Sequence, residues 1–94
     1  MTQTIYKYVL EITDKQVLKV NETFEPLSVQ VQRGKVCLWA LIDPDSEFEV
    51  DFVIDCRSTG QPADYPRINK ENHLGTVQTH DETLAFHFFG KLRF

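Results

Sequence analysis

The feature that most constrains this chain is a period-two alternation of apolar and polar side chains, the spacing that sends successive residues to opposite faces of a strand. Leu27, Val29 and Val31 alternate with Ser28, Gln30 and Gln32, and Tyr6, Tyr8, Leu10 and Ile12 lie opposite Lys7 and Glu11. Helical spacing is hard to find. Turn signals cut the pattern into short pieces: Asp14-Lys15, Arg33-Gly34, Asp43-Pro44-Asp45-Ser46 and His80-Asp81-Glu82. Gly34 suits the positive φ of a tight hairpin, and Pro44 has no N–H to give a ladder. Between them, Lys35–Ile42 is apolar on both faces, as a covered central strand would be. Expected strands are 5–12, 16–20, 27–32, 35–42, 47–56, 74–79 and 83–89, the last extended by 90–94. Residues 57–72 form the one long loop. Seven short strands in 94 residues predict an all-β antiparallel sandwich or small barrel with little or no helix, folded as a single domain over 1–94. The expected core is Leu27, Val29, Val31, Leu38, Trp39, Leu41, Phe52, Val77, Leu84, Phe86 and Phe88.

Charge gives the sharpest local signal. The formal net charge of −4 argues against a general nucleic-acid binder, which needs a basic footprint. Its distribution is uneven. Residues 1–42 carry five bases and four acids, residues 56–94 the same, and the thirteen between hold six acids and no base. In an extended strand Asp45, Glu47, Glu49 and Asp51 would share one face, with Phe48, Val50, Phe52 and Ile54 on the other. Such a stripe serves either as a solvated edge guard or as a contact for a basic protein surface. The partner-binding candidates are therefore Asp43, Asp45, Glu47, Glu49 and Asp51, with Arg57, Tyr65 and Arg67 of the long loop as a second contact.

Other chemistry finds little support. Asp43-x-Asp45-x-Glu47 echoes a calcium loop, but Phe48 stands where the turn glycine belongs. His73, His80 and His87 lack the close pairing of zinc ligands, and His87 among phenylalanines reads as a half-buried sheet residue. Ser28, Ser46 and Ser58 sit in no nucleophile elbow, and no glycine-rich phosphate cradle exists. Cys37 and Cys56 read as reduced thiols packed as small hydrophobes. The expectation is a non-enzymatic protein with no cofactor and no metal. The N-terminus has no signal-peptide pattern, and the longest apolar run, residues 36–42, is far short of the roughly 20 residues of a membrane helix. These features predict a soluble, cytoplasmic protein without membrane contact.

Several segments together resemble one known group: Ile5-Tyr-Lys-Tyr with Leu10-Glu-Ile-Thr-Asp14, Leu27-Ser-Val-Gln-Val-Gln32, Cys37-Leu-Trp-Ala-Leu41 with Asp43-Pro44, Thr59-Gly60-x-Pro62, His73-Leu-Gly-Thr-Val-Gln78 and Leu84-Ala-Phe-His-Phe88. It is an uncharacterised family of small proteins encoded by bacteriophages, prophages and bacteria, and the resemblance covers nearly the whole chain. It implies a phage-type accessory protein in a bacterial cytoplasm, but no catalytic or binding residues. Small acidic proteins of that setting act by binding host factors, so the resemblance points to an inhibitor of a host or anti-phage defence factor. The alternatives are a virion-associated or self-assembling module, including a homo-oligomer, and a binder of a small ligand such as a nucleotide.

Overall fold

A computed structural model describes residues 2–78 and 83–93. The expected turn His80-Asp81-Glu82 and the final tail residue Phe94 lie outside them. The strands are β1 (Thr4–Leu10), β2 (Lys15–Asn21), β3 (Glu25–Gln32), β4 (Lys35–Ile42), β5 (Glu49–Ser58), β6 (His73–Gln78) and β7 (Ala85–Arg93). One 3-10 turn, Lys70–Asn72, precedes β6. The strands form two sheets in the orders β1-β4-β3 and β2-β5-β7-β6, with every pairing antiparallel. The fold is an all-β sandwich of seven strands.

The sharpest turn joins β3 to β4, where Arg33 and Gly34 both take positive φ, 53° and 77°. Two consecutive left-handed residues match the twist of the flanking strands. Val36, Leu38, Ala40 and Ile42 of β4 then face inward, against Phe52, Ile54 and Cys56 of β5 and Phe88 of β7. Phe24, in the turn before β3, inserts between the layers, its ring centroid 4.6 Å from Phe52 and 5.6 Å from Tyr8. Gly90 of β7 lies directly against the Phe52 ring, and a Cβ there would overlap Cζ and Cε2. Gly90→Ala is therefore expected to cost about 1–3 kcal/mol by overpacking, measurable as a lowered urea midpoint with unchanged m-value.

The core differs from the expected set in an instructive way. Val29, Leu38, Phe52, Val77 and Phe88 are buried, and Phe86 packs against them. Leu27 and Val31 are instead about half exposed. A bulge between Pro26 and Ser28 leaves Leu27 without a partner across the ladder, so the alternation does not carry it inward. Val31 sits at the hairpin rim, and Leu84 precedes β7 and is exposed. Trp39 and Leu41 point to the outer face of the three-stranded sheet, beside Ile5 and Val9, which are 60% and 52% exposed. Cys37 is buried on that outer face, while Cys56 belongs to the inner core; both are free thiols. Burial pushes the Cys56 thiol pKa up, keeping it protonated and unreactive.

Candidate functional site

The acidic segment is not one strand. β5 begins at Glu49, so residues 43–48 form a loop and the expected stripe from Asp45 to Asp51 is broken. That loop is built against the turn joining β2 to β3. Asn21 braces both: its Nδ2 donates to the carbonyls of Asp43 (2.8 Å) and Ser46 (3.1 Å), while its Oδ1 accepts from Thr23 N–H and O–H. The Asp43 N–H donates to Thr23 Oγ1 at 2.7 Å, and Asp43 Oδ1 accepts from the Asp45 N–H at 3.0 Å. Glu22 N–H donates to the Phe48 carbonyl, and the Ser46 hydroxyl to the Glu22 carboxylate.

Two turns distant in sequence are thus fused into one end of the sandwich. Residues 21–25 add Glu22 and Glu25 to Asp43, Asp45, Glu47 and Glu49, and neither segment holds a base. Among the described residues, no base lies within ion-pair distance of any of the six carboxylates. Between Glu47 and Glu49, Phe48 is 70% exposed. Sequence reasoning passed over Glu22 and Glu25 and set Phe48 on the apolar face with Val50, Phe52 and Ile54; Phe48 instead lies in the loop before β5, where the strand alternation does not reach it. The β2–β5 register, with Asn21 opposite Glu49, brings the two turns together, and spacing along the chain carries no sign of it.

The remaining candidates have different surroundings. Asp51 faces outward from the four-stranded sheet between Lys19 and Arg93, hydrogen-bonded to both. The Lys19 and Arg93 hydrogen bonds hold its carboxyl below the usual carboxylate range. Because the folded value is depressed, the contribution to stability is full above the unfolded pKa of about 3.9 and disappears as pH falls through the folded value. Asp51→Asn is expected to melt below wild type at pH 7, and the two melting curves to converge in strong acid. A gap that stays constant with pH would contradict the pairing.

Asp55, four residues further along that face, is only 2% exposed. Its Oδ2 accepts from Arg67 Nε at 3.1 Å, and Arg57 Nη2 lies 3.9 Å from Oδ1. Arg57 is otherwise structural, donating to the carbonyls of Asp14, Cys56 and Pro62. Through Arg57, Arg67 and the buried Ile68, residues 59–72 fold over the outer face of the four-stranded sheet. Tyr65 stands out from this loop, 83% exposed. His87 is half-buried, its ring nitrogens 2.8 Å from Thr59 Oγ1 and 2.9 Å from Thr76 Oγ1. Among the described residues, no three His, Cys, Asp or Glu side chains gather in a way that could hold a metal ion.

The architecture is that of a small antiparallel sandwich presenting an acidic end from which Phe48 is exposed. The chain belongs to the family described as a domain of unknown function, DUF7352, whose model matches residues 1–93. No curated protein and no solved structure matches it.

Proposed function

We propose that this protein is a non-enzymatic binding module whose acidic end docks on a basic protein surface, with Phe48 as the apolar anchor. The observation that carries this reading is the 70% exposure of Phe48 next to Glu47 and Glu49, in a set of six carboxylates that have no base within ion-pair distance among the described residues. A large aromatic ring held in water by a braced loop loses nothing in backbone order on binding and gains the burial of its whole face. The surrounding carboxylates speed encounter with a positive surface and set orientation. In the bacterial cytoplasmic, phage-type setting that the sequence resemblance implies, such a module acts by occupying a host or anti-phage defence factor.

The test is affinity capture from bacterial lysate with wild type and Glu47→Gln/Glu49→Gln. Wild type is expected to retain a basic protein that the variant loses and that about 0.5 M salt releases, since screening shortens to a few ångströms at that strength. Equal capture by both would overturn the reading. A second reading, self-assembly, is favoured by the exposed Ile5 and Val9 beside Trp39 and Leu41 on the outer face of the three-stranded sheet. A monomer mass independent of concentration would count against it.

A further inference from the structure

We propose a second, independent site: a groove on the outer face of the four-stranded sheet that binds a small phosphate monoester carrying a sugar hydroxyl, the chemistry shared by nucleoside monophosphates and pentose phosphates. The register creates it. Lys15 pairs with Asp55, Val53 with Lys91 and Asp51 with Arg93, so these side chains share the outward face, and the 59–72 loop brings Arg67 over it. The resulting groove, about 260 Å³, is lined by Lys15, Val53, Asp55, Arg67, Lys91 and Arg93, together with the β7 segment around them. Four bases and one acid make its lining +3 on a chain whose net charge is −4.

The cations are not equally engaged. Arg93 is met by Asp51, and Arg67 by Asp55 and Asp64. Among the described residues, Lys15 and Lys91 have no carboxylate within ion-pair distance. Two free ammonium groups at the rim of a concave site suit a doubly charged phosphate. The β5 residues of the groove, Val53 and Asp55, lie four and six residues from Glu49, roughly 13–20 Å along the strand, and none of the six carboxylates of the acidic end lines it.

Asp55 narrows the ligand further. Its carboxylate is 2% exposed, and its Oδ1 is buried without any hydrogen-bond donor, Arg57 Nη2 at 3.9 Å being too distant to serve. A buried carboxylate oxygen left unpaired is costly, which favours a ligand that brings a donor. Arg57 and Arg67 already balance the charge of Asp55, so the donor that fits is neutral: a hydroxyl rather than an amine. Arg67, with a side chain 42% exposed, both lines the groove and contacts Asp55. The ligand hydroxyl takes the unpaired Oδ1 of Asp55 while Arg67 keeps its contact to Oδ2, and the phosphate lies toward Lys15 and Lys91.

The experiment is an NMR titration of the ¹⁵N-labelled full chain with ribose 5-phosphate, adenosine 5′-monophosphate and inorganic phosphate. Both esters are expected to give saturable shifts at residues 15, 53, 55, 67 and 91–93, at least about tenfold tighter than inorganic phosphate, the effect of a hydrogen bond to a charged group. Lys15→Gln/Lys91→Gln, at two exposed positions, is expected to weaken both by about tenfold or more, and Glu47→Gln/Glu49→Gln to change nothing. Equal affinity for both esters identifies the sugar phosphate as what is read; tighter binding of the nucleotide adds its base. Inorganic phosphate binding as tightly as the esters would overturn the role of Asp55. No saturable binding, or binding indifferent to Lys15→Gln/Lys91→Gln, would overturn the site and leave the acidic-end reading untouched.

Discussion

Phe52→Ala is expected to lower the stability of the fold by about 3–5 kcal/mol, the cost of removing a fully buried phenylalanine and leaving a cavity. Phe52 is 2% exposed and joins the two layers: its ring meets Phe24, which in turn meets Tyr8 of the opposite sheet, and the backbone at Gly90 closes the other side. Collapse around the void is hindered because Gly90 has no side chain to move into it. For a domain of this size each kcal/mol shifts the melting temperature by about 4–8 °C, so a fall of at least about 12 °C is expected in a thermal melt followed by circular dichroism. A fall of less than about 5 °C would show that the aromatic stack is not what holds the layers together.

The second large effect falls on binding. Phe48→Ala is expected to weaken the partner complex by about 2 kcal/mol or more, roughly thirtyfold in Kd, the scale of an aromatic hot spot surrounded by a polar rim. Because Phe48 is largely exposed and only its carbonyl joins the hydrogen-bonded framework, the same substitution is expected to leave the melting temperature nearly unchanged. The pair of measurements separates a contact residue from a structural one. A variant that binds as wild type does would remove Phe48 from the interface.

The alternation and turn signals contain the class of fold, because side-chain period and positive-φ glycines are local properties of a strand and a hairpin. The expected strands match the observed ones to within a few residues, and the Arg33-Gly34 turn lies where the sequence puts it. Burial was legible where a strand is regular, as at Val29, Leu38, Phe52 and Phe88. It was not legible at Leu27, where a bulge interrupts the period, or at Trp39 and Leu41, where an apolar outer face looks the same in sequence as an inner one. The candidate surface shows the same division. The concentration of acids in residues 43–55 is visible in the sequence, but which of them are free is decided by pairing between strands. Lys19 and Arg93 take Asp51 and Arg67 takes Asp55, whereas Asn21 draws Glu22 and Glu25 toward Asp43, Asp45, Glu47 and Glu49. The net charge of the segment is a sequence property; its division into an acidic end and a basic groove arises from the sheet register.

Hydroxyl-radical footprinting of the protein alone and in complex with its captured partner tests the central claim most directly, because it labels exposed aromatic side chains. Phe48 is expected to be labelled in the free protein and protected in the complex, with protection lost in about 0.5 M salt as the carboxylate contacts are screened. Phe48 labelled equally in both states, with protection confined to Trp39 and the outer face of the three-stranded sheet, would contradict an interface at the acidic end.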